Sequence, residues 1–238
     1  MRYAYRITIL CLLAQTLLLP GIASAQWQKK PYGEWSEKEV MTVLNNSPWG
    51  QTQTVTDTTR MFDRDRRLDS GQSRVSEVAQ VKFHIRFFSA RPIRQAVGRL
   101  IEIQQKGEVP EGLATQLKAL AAADFPDYII ITVSIDAADA SSQLRQATTL
   151  LNNQATSQLK NETFLSVKGG QRIFLQEYQQ PRRDGLGARF IFPRLVDGKP
   201  FITPENEEVL FSSQLTGGPA LSMRFKVKDM MVNGKLEY

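Results

Sequence analysis

The sequence offers few residues for nucleophilic or metal chemistry, because its 238 residues contain one histidine, His84, and one cysteine, Cys11. Serine and cysteine nucleophiles need a histidine or an equivalent base beside them. His84 lies in an alternating pattern between Lys82 and Arg86, which is typical of an exposed sheet residue rather than of a general base. Zinc, haem and iron–sulfur sites take several Cys or His ligands. We therefore predict no catalytic histidine, no bound metal and no cofactor.

Two weaker patterns have simpler explanations. Ser157 and Lys160 match the Ser-x-x-Lys of penicillin-recognising enzymes, but no Ser-Asp-Asn or Lys-Thr-Gly element follows them. An acidic stretch before Gly71 has oxygen ligands of the kind that calcium uses. Its members are Asp57, Asp63, Asp65 and Asp69. Arginines are interleaved with these aspartates, so we interpret the stretch as a salt-bridged surface loop.

Paired carboxylates are the remaining route to hydrolysis, because glycosidase chemistry needs only two of them at a set separation. The candidates are Glu102, Asp124, Asp127, Asp136, Glu177 and Glu205. Sequence spacing does not show which of them lie together, so an envelope hydrolase that uses two carboxylates or a Ser/Lys pair stays as an alternative.

All three tryptophans fall between residues 27 and 49. Trp35 precedes a helix-capping serine and is placed to pack against Val40 as a hydrophobic staple, and Trp49 is expected to cover the core. These roles leave Trp27 and Tyr32 unexplained. We predict that this pair forms a contact surface for an envelope protein or a glycan.

The first 25 residues have the organisation of a secretory signal peptide. Two arginines precede an almost wholly apolar run over 7–19, and Ala23 and Ala25 supply the small side chains that a signal peptidase requires. Cleavage after Ala25 would make Gln26 the first mature residue and remove Cys11. We therefore expect an exported protein, periplasmic or extracellular, with no stable membrane span after cleavage, since the apolar run is too short to cross a bilayer comfortably.

The remaining chain predicts an α+β fold. Apolar residues recur with a period of two over 81–88 and at helical spacing over 93–101, 113–121 and 144–159, and the apolar run 128–135 is typical of a covered strand. From residue 163 onward, short strands alternate with turns at Gly169-Gly170, Asp197-Gly198 and Asn233-Gly234. The order is βααβα followed by a β meander, which implies a mixed, largely antiparallel sheet with about three helices packed on it.

We place the boundaries of the chain accordingly. Residues 1–25 form the signal peptide, residues 26–75 an N-terminal extension with a short capped helix, a strand and a charged loop, and residues 76–238 the α+β domain. The formal net charge is +6 at pH 7. Because the basic residues are dispersed among acidic ones, and export separates the protein from cellular nucleic acid, we predict no nucleic-acid partner.

Several motifs resemble those of a group of uncharacterised exported bacterial proteins. The chain has Trp35-Ser36-x-x-Glu39 followed by Ser47-Pro48-Trp49, which is similar to the Trp-Ser/Thr-x-x-Glu and Ser-Pro-Trp pattern of that group. Ser89-Ala90-x-Pro92-Ile93-Arg94 is similar to a further part of it. The resemblance implies a secreted protein, and it transfers no activity and no site residues.

These observations lead to one main interpretation and two alternatives. The main one is an exported binding or structural module of the envelope, with an exposed apolar patch near Trp27 and Tyr32. The hydrolase alternative predicts a concave cleft with two carboxylates about 5–9 Å apart, or a serine beside a lysine. A carrier of small apolar ligands predicts a large enclosed apolar pocket.

Overall fold

The fold comes from a computed structural model, which describes residues 27–56, 80–105, 107–136 and 142–238. The helices are α1 (Glu37–Asn45), α2 (Arg91–Gln104), α3 (Glu111–Ala122), α4 (Ser142–Asn152) and α5 (Thr156–Leu159). The strands of the first half are β1 (Gly50–Thr56), β2 (Gln80–Phe87), β3 (Tyr128–Ile135), β4 (Thr163–Val167), β5 (Arg172–Phe174), β6 (Glu177–Gln179) and β7 (Ala188–Pro193). Those of the second half are β8 (Leu195–Val196), β9 (Lys199–Pro200), β10 (Glu208–Gln214), β11 (Ala220–Lys226), β12 (Met231–Val232) and β13 (Lys235–Leu236).

Nine of these strands form two sheets. The first has the order β1-β2-β3-β7-β6 and the second the order β11-β10-β4-β5, while β8-β9 and β12-β13 are separate two-stranded ribbons. The predicted α+β class is confirmed, and every strand pair in the described part of the chain is antiparallel. The chain passes from the second sheet to the first between β5 and β6, which are separated by two intervening residues.

The core lies between the facing sides of the two sheets, where aromatic rings meet edge to face. Phe87 of β2 lies 4.8 Å from Phe225 of β11, between ring centroids. Phe211 of β10 lies 5.4 Å from Phe190 and 6.3 Å from Phe192, both on β7. Edge-to-face rings at such distances stabilise a core beyond the area that they bury, so these contacts fix how the two sheets stack.

The outer strands β1 and β11 are joined by side chains. Gln53 of β1 donates from Nε2 to the backbone oxygen of Ala220 at 2.9 Å and accepts from the backbone N–H of Ser222 at 2.8 Å. Gln51 donates to the backbone oxygen of Arg224 at 3.1 Å. A glutamine side chain carries the same donor and acceptor as a peptide group. These two amides therefore take the place of a neighbouring strand along β11.

Helix α1 begins as the sequence predicts. The Ser36 hydroxyl accepts from the backbone N–H of Glu39 at 3.3 Å, and the Glu39 carboxylate accepts from the backbone N–H of Ser36 at 2.9 Å. This is the predicted capping box. Helix α1 then packs on β1, β2 and α2, and α2 packs on α3. Residues 27–56 of the predicted extension thus share one core with the α+β domain.

No helix in the four described ranges is both long enough and apolar enough to cross a membrane.

Candidate functional site

The three tryptophans form one buried cluster. Trp27 is 4% exposed, and its ring centroid lies 5.3 Å from Trp35 and 6.0 Å from Trp49. Trp35 donates from Nε1 to the backbone oxygen of Trp27 at 2.9 Å. Trp27 therefore belongs to the core and does not provide the exposed aromatic surface that we expected, because its neighbours cover the indole. Tyr32 is half-buried, and it is the member of the pair that reaches the surface.

The other predicted residues are largely exposed or lie outside the described part of the chain. The cleavage residues Ala23, Ala25 and Gln26 lie outside it, as does the acidic stretch before Gly71. Ser157 and Lys160 are both exposed, on and just after the short helix α5. Among the six carboxylate candidates, Glu102 pairs with Arg99 at 3.1 Å, and Glu177 accepts from Gln179 at 2.9 Å. Asp124 lines a cleft.

His84 is buried rather than exposed. It is 8% exposed, and its Nδ1 lies 2.9 Å from the hydroxyl oxygen of Thr52 on the neighbouring strand. Burial, assisted by the positive charge of Arg86, lowers the pKa of His84 to about 4. The imidazole is therefore neutral at pH 7 and serves as a hydrogen-bonded sheet residue.

We expect this buried histidine to make stability depend on pH. In the unfolded chain its pKa is about 6.5, so between pH 6.5 and 4 the unfolded state binds a proton that the folded state does not. The free energy of unfolding should therefore fall by about 3 kcal/mol as the pH is lowered through that window. Thermal unfolding followed by circular dichroism at several pH values measures it. His84→Gln is the control and should flatten the profile, and an unchanged profile in this variant would contradict the assignment.

A cationic cleft lies between the first turn of α2, the end of α3 and residues 235–238. Its volume is about 450 Å³, within the usual range of ligand sites. Five cationic side chains line it: Arg91, Arg94, Lys118, Arg194 and Lys235. Two carboxylates, Asp124 and Glu237, line it as well, and Tyr32 borders it. The cationic side chains outnumber the acidic ones, so the cleft attracts anions.

Arg94 is the most buried of these cations, at 3% exposure. Its guanidinium donates to the backbone oxygens of Leu120, at 3.1 Å, and of Phe88, at 3.3 Å. It also donates to the backbone oxygens of Ser89 and Ala123. These contacts join the end of β2 to the end of α3. Burial lowers the pKa of Arg94.

The hydrogen-bond partners of Arg94 reach all three of its guanidinium nitrogens without balancing its charge. All four are neutral carbonyl groups, and Arg94 forms no salt bridge with any residue that the structure describes. Glu237 and Asp124 act on it only at longer range. A buried cation without a direct counter-ion keeps a positive potential in its surroundings, since little water is present to screen it.

The other cationic side chains of the cleft differ in whether they have hydrogen-bond or ion-pair partners. Arg91 donates to Glu237 at 2.6 Å. Arg194 donates to the backbone oxygen of Tyr238 at 2.8 Å, and its guanidinium carbon lies 3.8 Å from the centre of the Tyr238 ring. Lys118 and Lys235 are exposed, and their ammonium groups have no hydrogen-bond or ion-pair partner within the described ranges. These two lysines are therefore the cations most available to a ligand.

A second cleft, of about 650 Å³, lies beside the end of α1 and strand β11. Its lining includes Asn45, Asn46, Thr52, Arg224 and Lys226. Both clefts are lined largely by polar and charged groups and neither is an enclosed apolar pocket, so neither has the geometry that a carrier of apolar ligands needs.

Sequence reasoning missed the cationic cleft because its residues come from separate parts of the chain. One signal was present. Arg94 stands three residues before Val97 and seven before Ile101, so it lies on the apolar stripe of α2. A cation on the buried face of a helix requires partners and is a reason to look for a site.

Comparison of the chain with solved structures gives a distant likeness. The chain is similar to a protein described as "novel protein of unknown function" from Burkholderia pseudomallei K96243, with 14% sequence identity and a TM-score of 0.41. The match covers 60% of this chain and 72% of that one. No family model matches the sequence, and no curated protein matches it.

Proposed function

We propose that the protein is an exported binding module of the cell envelope and that it binds an anionic group of its partner, a protein or a glycan, in the cationic cleft. The buried charge of Arg94 carries this proposal. That charge lies at the cleft without a direct counter-ion among the described residues, so an anion that enters lowers the electrostatic cost of burying it. The N-terminal sequence pattern supports the export step.

The exposed lysines extend this potential to the mouth of the cleft. Lys118 and Lys235 are unpaired in the described part of the chain, so an anionic ligand reaches them without breaking an ion pair. Clefts lined by one sign of charge concentrate the field and speed the approach of ligands of opposite charge. We therefore expect association to weaken as the salt concentration rises.

A hydrolase is the second candidate, because Asp124 and Glu237 line the same cleft. Both carboxylates already have contacts, however. Glu237 holds Arg91 at 2.6 Å, and Asp124 accepts from the backbone N–H of Phe125 at 2.9 Å. Analysing the probes for cleavage products after the binding experiment distinguishes binding from hydrolysis.

The double variant Lys118→Gln/Lys235→Gln tests the binding proposal. The full chain is expressed and purified. Sequencing of its N-terminus tests export, since we expect the exported protein to begin at Gln26. Calorimetric titration with triglutamate and trigalacturonate, two oligomers of equal net charge, then measures affinity for an anion. We expect the double variant to lower affinity for the better-bound probe about tenfold, since each lysine contributes a partly exposed ion pair.

The control is Lys160→Gln/Lys228→Gln, which removes two exposed lysines that do not line the cleft. It causes the same loss of net charge and should leave affinity within about twofold of the wild type. The proposal is wrong if neither probe binds, or if the control variant loses as much affinity as the cleft variant.

A further inference from the structure

The cationic cleft also contains hydrogen-bond acceptors that have no donor in the part of the chain that the structure describes. Glu237 accepts from Arg91 through Oε1, and Asp124 accepts from the backbone N–H of Phe125 through Oδ1. Oε2 of Glu237 and Oδ2 of Asp124 have no partner among the described residues. An ionised carboxylate only accepts hydrogen bonds. Neither oxygen is buried, so both are open to water and available to a ligand that donates.

These acceptors restrict which anions suit the cleft. A ligand that presents only negative charge gains from the cations but is repelled by both carboxylates. A ligand with hydroxyl groups beside its anionic group places that group among the cations and donates from its hydroxyls to Glu237 and Asp124. Hydrogen bonds to charged acceptors are stronger than those to neutral ones. The two carboxylates therefore favour a ligand with hydroxyl groups over a ligand that carries negative charge alone.

Glu237 is held firmly enough to select a ligand. The residue is 8% exposed, and its backbone oxygen accepts from Nε1 of Trp49 at 2.7 Å. Its backbone N–H donates to the backbone oxygen of Met230 at 3.0 Å. A carboxylate fixed in this way loses little conformational entropy when it binds a hydroxyl group, which raises affinity.

Tyr32 adds an aromatic ring at the edge of the cleft. The ring is half-buried, and it packs 6.4 Å from Trp35, between centroids, in an edge-to-face arrangement. A tyrosine ring combines an apolar face with a polar tip, and such a face is suited to the C–H groups of a sugar ring. Cations, fixed acceptors and an aromatic ring thus border one cleft.

We propose that the cleft binds an acidic glycan, through a sugar ring that carries a carboxylate with hydroxyl groups beside it. This inference rests on the proposed function and narrows it. The carboxylate lies among Lys118, Lys235 and Arg194, and the hydroxyl groups donate to Glu237 and Asp124. An acidic peptide, which carries the charge without hydroxyl groups, is the competing ligand.

Three probes separate charge from hydroxyl recognition in calorimetric titrations of the purified full-chain product. Trigalacturonate carries carboxylates and hydroxyl groups, its methyl ester keeps the hydroxyl groups without the charge, and triglutamate keeps the charge without the hydroxyl groups. We expect trigalacturonate to bind about tenfold more tightly than either of the others, since each lacks one set of contacts.

The variants Glu237→Gln and Asp124→Asn test the two acceptors. Each removes one negative charge, which should raise affinity for triglutamate slightly, and weakens the acceptor, which should lower affinity for trigalacturonate about fivefold. The ratio of the two affinities is the decisive quantity, because a purely structural defect lowers both together. Asp124 is exposed, so Asp124→Asn keeps the test valid if Glu237→Gln unfolds.

The outcomes separate this inference from the proposed function. Tighter binding of trigalacturonate, with a ratio that falls in the variants, supports an acidic glycan. Triglutamate binding as tightly as trigalacturonate, or an unchanged ratio in both variants, overturns the glycan inference and leaves an anion site. Failure of all three probes to bind overturns the proposed function itself.

Discussion

Replacing Trp49 by alanine is expected to lower the free energy of unfolding by about 4 kcal/mol. Trp49 is fully buried, packs against Trp27 at 6.0 Å between ring centroids, and donates from Nε1 to the backbone oxygen of Glu237 at 2.7 Å. The substitution leaves a large cavity and an unsatisfied carbonyl group. Guanidinium unfolding followed by circular dichroism measures the loss.

Two further variants serve as comparisons for Trp49→Ala. Trp49→Phe keeps a ring but loses the N–H donor, so we expect an intermediate loss of about 2 kcal/mol. Met41→Ala is the surface control on α1, since Met41 is 42% exposed, and it should change stability by less than about 0.5 kcal/mol. If the Trp49→Ala protein were as stable as the Met41→Ala protein, the tryptophan cluster would not be what stabilises the packing of residues 27–56 against the rest of the core.

Substituting Arg94 with methionine should destabilise the protein by about 3 kcal/mol and reduce anion binding together. Methionine keeps an unbranched stem about as long as the aliphatic part of arginine, but backbone oxygens of the β2–α2 turn and of the end of α3 lose the guanidinium donors. The positive potential of the cleft falls at the same time. Urea unfolding measures the first effect, and titration with the better-bound anionic probe measures the second.

Arg94→Lys separates the two effects. Lysine keeps the charge but lacks the planar fork that reaches several carbonyl groups at once, so we expect lower stability with most of the anion affinity retained. Arg99→Met is a matched control on the same helix, because Arg99 is half-buried and donates to the backbone oxygen of Trp35 at 3.0 Å. Arg99→Met should lower the free energy of unfolding by about 1 kcal/mol and leave the affinity for the anion unchanged. Equal anion affinity in Arg94→Met and the wild type would refute the role of the buried charge.

Features set by neighbouring residues could be predicted from the sequence. The capping box at Ser36 and Glu39 is one of them. The turns at Asp197-Gly198 and Asn233-Gly234 could also be predicted. Both residues of each pair have positive φ angles, of 51° and 76° in the first pair and 51° and 77° in the second. Gly, Asn and Asp tolerate that conformation better than other residues do, and each pair indeed connects two antiparallel strands.

Features that depend on distant residues could not be predicted in the same way. The local sequence leaves Trp27 without a packing partner, because the residues that cover it include Trp49, and Trp49 in turn donates to the backbone oxygen of Glu237, 188 residues further along the chain. Alternation along β2 predicts an exposed His84, because it shows which residues share a face but not that helix α1 packs on β2. The cationic cleft depends on the same long-range packing, since it joins α2 and α3 to residues 235–238.

The glutamine amides between β1 and β11 have a consequence for the behaviour of the protein at high concentration. An outer strand with free N–H and C=O groups recruits strands from other molecules, and this is how many β-proteins aggregate. Gln53 and Gln51 occupy those groups at Ala220, Ser222 and Arg224. Intermolecular strand addition at β11 must first displace these side chains, so they protect this border of the sheet when the protein is concentrated.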